Sequence, residues 1–195
     1  MKVIGITGGV GAGKSRILSI LREEYQADII QADRVAQELE EPGREGLIRL
    51  VEEFSTGILD SRGQLDRGRF ADLIFGDPEA LLKVNEIIHP LTWEAIRQKV
   101  AESQAPLVAV EAALFNENSR ELCEELWYID TSAENRISRL MADRGYSREK
   151  CQAIMANQAD RQTFLALADV VIDNNGSIEA VRSQIADKLQ TACKG

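Results

Sequence analysis

A chain of 195 residues, 44% of them hydrophobic, suits one domain with a real core and is too apolar for wholesale disorder. Its formal charge of -9 excludes it as a good candidate for sequence-independent nucleic-acid binding, which rests on Lys and Arg neutralising phosphates. A local cluster of cations can still meet a small anionic ligand against that global sign.

The N-terminal segment Val3–Thr7 is apolar and reads as a first strand. It lacks the long apolar stretch and cleavage site of a signal peptide, and no later run reaches the length of a membrane span. The chain is therefore expected in the cytoplasm, away from membranes. After a glycine-rich turn, Ile17, Leu18 and Leu21 share one helical face. A second strand is expected at Asp28–Gln31. The interval 34–104 then holds no convincing strand but several amphipathic stripes, among them Leu47, Leu50, Val51 and Phe54, then Phe70, Leu73 and Ile74. A third begins at Asp77-Pro78, where Asp77 can cap and Pro78 suits the first helical position. His89 precedes Pro90 and is biased away from helix, so a break is expected there. Strands are expected again at Leu107–Val110, Trp127–Ile129 and Val170–Ile172, with an Arg-rich helical stretch over 132–168 between the last two. The final helix carries Ile178, Val181, Ile185 and Leu189, with Ser177 as its cap. Alternation of strand and helix predicts an α/β fold with a five-stranded parallel sheet and a helical insertion between its second and third strands. Cys123, Cys151 and Cys193 show no metal or disulfide spacing and read as reduced thiols of a cytosolic protein.

The strongest motif is Gly8-Gly9-Val10-Gly11-Ala12-Gly13-Lys14-Ser15, which fits G-x-x-x-x-G-K-[ST] in full and sits between strand and helix. Glycines let backbone N–H groups turn inward around phosphate oxygens, and the helix N-terminus adds partial positive charge. Gly9 through Arg16 are thus the candidate nucleotide contacts. Lys14 is placed to bridge β- and γ-phosphates, and the Ser15 hydroxyl to ligate Mg²⁺. Arg16 lies in the first helical turn, where its N–H can meet a phosphate. The motif implies a nucleoside triphosphate and is silent on what accepts the phosphate.

Asp33 follows the second strand by two residues, and ligands of parallel sheets gather at the carboxyl ends of strands. The spacing leaves two readings open: a general base for a substrate hydroxyl, or a helix N-cap or ion pair with Arg34. Arg136 and Arg139 share a helical face within the Arg-rich stretch, which also holds Arg144 and Arg148. They suit a lid that stabilises transferring phosphate, or else a solvated helix partnered by Glu134 and Asp143. Glu111 ends the third strand, as a strand-end charge or as the group that orients a magnesium-bound water. Asn174-Asn175-Gly176 forms a turn whose amides could meet an adenine edge. The only histidine, His89, suits a structural or substrate-contact role rather than catalysis.

Taken together these pieces resemble the dephospho-CoA kinase family nearly end to end. The resemblance runs from Ile6-Thr7-Gly8-Gly9 through Ala32-Asp33, Glu41-Pro42-Gly43, Leu65-Asp66-Arg67, Ile74-Phe75, Leu82 to Asn85, and His89-Pro90-Leu91. It closes with Gln158, Ala168-Asp169 and Val171 to Gly176. It implies a three-layer P-loop kinase fold with a helical coenzyme-binding insertion over about 34–104 and a helical lid over about 132–168. It implies that ATP, with Mg²⁺, phosphorylates the ribose 3′-hydroxyl of dephospho-CoA, the last step of coenzyme A biosynthesis. Asp33 matches the family's presumed base, Lys14 and Ser15 its ATP and magnesium contacts, and Arg139 a lid arginine; a nucleotide contact is expected from Asn175, and a monomer as the state of assembly. Departures are Gln31 where an acid is common, Ala112-Ala113-Leu114-Phe115-Asn116 where Pro-Leu-Leu-Phe-Glu is usual, Arg136 in place of a Gln, and Asp143 in place of a second lid arginine. A nucleoside or nucleotide kinase of the same fold is the alternative enzyme. A nucleotide-regulated switch is the non-enzymatic one, and the chain lacks the Asp-x-x-Gly that such switches use after the third strand.

Overall fold

The computed structural model describes residues 1–191. Cys193, read above as a third thiol, lies outside them. The backbone divides into two compact units, residues 1–29 with 103–195, and residues 30–102.

The first unit carries the nucleotide motif. β1 (Lys2–Thr7), β2 (Asp28–Gln31), β3 (Leu107–Glu111), β4 (Glu125–Asp130) and β5 (Val170–Asp173) form one parallel sheet in the order β2-β3-β1-β4-β5. The fold is thus the α/β arrangement the alternation predicted. β1 lies between two later strands. Ile4 pairs with Ala109 on one side and Glu125 on the other, and Trp127 of β4 pairs with Val170 of β5. β2 keeps its predicted bounds, and the other four strands exceed theirs by one to three residues, because polar ends such as Lys2, Glu125 and Asp173 still make ladder contacts that an apolar pattern misses. The core beneath is apolar: Ile4 and Ile6 of β1, Trp127 and Ile129 of β4, Ile17 and Leu21 of α1 (Lys14–Tyr25), and Val181 and Ile185 of α10 (Ile178–Thr191) are fully buried. Ser177 caps α10 through Ala180 N–H at 3.3 Å, as its position before the stripe predicts.

The second unit contains α2 (Ala32–Leu39), α3 (Glu45–Phe54), α4 (Arg67–Gly76) and, as its longest element, α5 (Pro78–Glu102). α5 packs against the other three, closing a core of Leu50, Ile58, Phe70, Val84 and Ile88. Asp77 caps α5 by accepting from Glu79 N–H at 2.9 Å, with Pro78 as first residue. The break expected at His89-Pro90 does not occur: α5 runs through Pro90 for 25 residues. Proline there removes one backbone donor and costs about 3 kcal/mol in a helix interior. The face Ala80, Val84, Ile88, Ile96 and Val100 is buried along the whole helix, and each large aliphatic group buried is worth about 1.5–3 kcal/mol. Thr92, also buried, donates its hydroxyl to Ile88 O at 2.8 Å. Tertiary burial overrides the local preference. No helix among the described residues is long and apolar enough to cross a membrane.

Candidate active site

The motif folds as its glycines require. The loop leaves β1 at Thr7 and enters α1 at Lys14, with Gly11 at φ +75° and Gly13 at φ +86° in left-handed conformations. At Gly13 a Cβ would also lie 2.5 Å from Asn174 Nδ2, so no side chain fits there on either count. Lys14 folds back over the loop: its ammonium donates to Gly8 O at 2.7 Å and stands 3.5 Å from the Glu111 carboxylate, with both side chains largely buried. Glu111, at the end of β3, is the acidic group beside the motif's lysine. Ser15 and Arg16 follow on the exposed first turn of α1.

The 132–168 stretch forms α7 (Ala133–Arg144), α8 (Arg148–Ala156) and α9 (Arg161–Leu167). Two of its arginines reach the loop, on the shared face that their spacing predicts. Arg136 Nε donates to Val10 O at 2.8 Å, and its Nη2 to Gln158 Oε1 at 2.7 Å; the same Gln158 oxygen accepts from Val10 N–H at 3.0 Å. Both backbone groups of Val10 are thereby held by this stretch. Arg139 donates from Nη1 to Ala12 O at 3.0 Å and from Nη2 to Asn174 O at 2.7 Å. Burial lowers the pKa of both guanidinium groups, and nearby Arg16 lowers that of Arg139 further. Arg148 instead makes a bidentate surface pair with Glu134, the solvated arrangement weighed above, and Arg144 is exposed. α9 is tied to the end of β4. Arg161 forks onto Asp130, which its hydrogen bonds and charge hold below the usual carboxylate range, and Phe164 stacks on Tyr128 at 5.0 Å between centroids.

Asn175 is exposed and its amide already engaged: Oδ1 accepts from Ser132 N–H at 2.8 Å and Asn135 Nδ2 at 3.0 Å, while Nδ2 donates to Asp173. Asn116, which stands where an acid is usual, closes a capping box with Ser119. Asp33 lies in the helical unit, exposed, as the second residue of α2. Gln31 holds the N-cap position, so Asp33 is not the cap. His89 is exposed on α5. Cys123 and Cys151 are free and buried, and burial pushes the Cys123 thiol up to about 12, so it is inert at neutral pH. The loop's closest neighbours include residues that spacing did not single out. Thr131, Asn174 and Gln158 contact it across 119 to 162 positions of sequence; Asn174 had a signal as part of the turn after the last strand, Gln158 only within the resemblance, and Thr131 none.

Residues 2–180 match the family model for dephospho-CoA kinase. The chain belongs to the dephospho-CoA kinase family. It is 38% identical to the dephospho-CoA kinase of Carboxydothermus hydrogenoformans over 97% of this chain and 94% of that one. It is 37% identical to that of Streptomyces avermitilis over 96% and 92%. A crystal structure from Thermus thermophilus superposes with a TM-score of 0.82 at 29% identity, covering 100% of this chain and 98% of the other. The family and the P-loop kinase fold are those that the ordered motifs imply.

Proposed function

We propose that this chain transfers the γ-phosphate of ATP to the ribose 3′-hydroxyl of dephospho-CoA, giving coenzyme A and ADP. It is a kinase of coenzyme A biosynthesis, with an alcohol as acceptor. The observation that carries the reading is the ring of cations on the phosphate loop. Lys14, Arg136 and Arg139 all bond to loop carbonyls, and burial disfavours charge on both arginines. A polyanion seated in the loop offsets that cost for both.

Each residue then has a task. Loop N–H groups such as that of Gly13 cradle the phosphates, whereas those of Val10, Ala12 and Arg16 already donate to Gln158 Oε1, Gly9 O and Gly13 O, and Lys14 follows the charge that develops between β- and γ-phosphate. Arg139 stabilises the moving phosphoryl group. Asp33 takes the proton of the attacking hydroxyl. Asn175 borders the nucleotide. For Mg²⁺, the described residues offer no cluster of three acidic, His or Cys ligands, which suits an ion held by substrate phosphates and one hydroxyl rather than by a protein cage. Ser15 would provide that hydroxyl, with the Glu111 carboxylate beside Lys14 as a further acidic group at the loop, and such an ion would supply neutralisation of phosphate charge. The 30–102 unit is read as the coenzyme-binding insertion and α7–α9 as the lid, in a cytoplasmic monomer.

A coupled ADP-release assay decides the matter. ADP release that needs dephospho-CoA supports the reading. Release driven by a nucleoside would point to another acceptor, and slow release without any acceptor to a switch.

A further inference from the structure

One carbonyl of the phosphate loop is contacted by three side chains. Ala12 O accepts from Thr131 Oγ1 at 2.9 Å, from Arg139 Nη1 at 3.0 Å and from Asn174 Nδ2 at 2.7 Å. A carbonyl oxygen has two lone pairs, so three donors exceed ordinary need. Two of the donors are also costly to place. Thr131 is 5% exposed and Asn174 1%, and burying a hydroxyl or an amide costs free energy unless it is bonded. The oxygen of the Asn174 amide, Oδ1, has no hydrogen-bond partner among the described residues. The fold thus keeps an incompletely satisfied buried amide in order to put its NH₂ on this carbonyl.

The peptide joining Ala12 to Gly13 is planar and trans, so its C=O and N–H point in opposite directions. Fixing Ala12 O fixes the direction of Gly13 N–H. Gly13 needs such fixing, since it sits at φ +86° and glycine is free to leave that well. The donors come from separate places: Thr131 from just after β4, Asn174 from just after β5 and Arg139 from α7. Together they set this peptide from the sheet and from the Arg-rich helix at once.

We infer that Thr131 and Asn174 are positioning residues that aim the Gly13 amide at the phosphates of the bound nucleotide, with Arg139 completing the grip. They touch no substrate; they act through the loop backbone. This rests on the phosphate-loop reading above.

The test compares Thr131→Val, which removes the hydroxyl with little change of shape, with Thr131→Ser, which keeps it. A hydrogen bond is worth about 1 kcal/mol, or roughly fivefold in binding. Thr131→Val should weaken ADP binding in calorimetry about fivefold and raise the KM for ATP alike. It should leave the KM for dephospho-CoA and the melting temperature near those of the parent, and Thr131→Ser should restore binding. The ¹⁵N–¹H signal of Gly13 should move on adding ADP to the parent, and move less in Thr131→Val. Unchanged ADP affinity with an unchanged Gly13 response would overturn the inference; a loss that Thr131→Ser does not restore would too. If Thr131→Val does not fold, Asn174→Ala is read by the same three measures. A parent chain that binds no ADP would instead sink the phosphate-loop reading itself, so the two failures are distinct.

Discussion

The two units bury their polar groups differently. Of the buried polar side chains among the described residues, Thr7, Ser119, Thr131 and Asn174 lie in the sheet unit, and only Thr92 lies in the helical one. The charged groups of the helical unit pair at its surface, as Lys99 with Glu38 and Arg49 with Glu45. Such exposed pairs are worth about 0–1 kcal/mol. Apolar packing on α5 therefore holds the helical unit, whereas the sheet unit also spends interior hydrogen bonds on the backbone of one loop. Burying polarity is unfavourable, so it marks where geometry must be exact rather than where the fold needs support.

That contrast can be broken from the largest effect downward. If Asp33 is the base, as proposed, Asp33→Asn should lower turnover about 10²–10⁴-fold while ATP still binds. Full activity in a turnover assay would remove Asp33 from the chemistry. Lys14→Ala should cost about 10²–10³-fold in kcat, the loss typical of one transition-state donor, and rapid-quench measurement of a single turnover reads it. Pro90→Ala restores a donor to the interior of α5 and should stabilise the chain by up to about 3 kcal/mol in denaturant unfolding. A loss of stability would show that α5 depends on the proline. Gln158→Ala should raise the KM for ATP about fivefold with less effect on kcat, since it frees Val10 N–H and one contact of Arg136. The smallest effect is at Glu40, whose pKa burial raises more than nearby Arg67 lowers it. A raised carboxyl pKa means that folding disfavours the charged form, so the penalty appears above about pH 4.3. Glu40→Gln should therefore stabilise the chain at pH 7, by less than about 1 kcal/mol, and the gain should fade in unfolding curves taken below pH 4.

What could be read in advance follows contact distance along the chain. The phosphate loop is eight contiguous residues with a strand before and a helix after, so its conformation is encoded locally. The strands were visible as short apolar runs, and the caps at Asp77 and Ser177 as single residues in position. Pro90 misleads because a local preference was set against a buried face 25 residues long, and the face wins. Thr131 gave no signal at all. One threonine after a strand is unremarkable until the fold brings it to Ala12, 119 positions away. The arginines of α7 were legible as a face, but which would reach the loop depended on how α7 lies against Val10 and Ala12.

The sheet order also bears on how the chain is made. β1 is synthesised first, yet its partners are β3, 105 residues later from Lys2 to Leu107, and β4 beyond that. At about 5–20 residues per second, the ribosome leaves β1 without a neighbour for roughly 5–20 s. The 30–102 segment, with its own apolar cluster, emerges whole in that interval. The phosphate-loop motif thus emerges ahead of both strands that flank β1, and the first of them, β3, follows only 105 positions after Lys2.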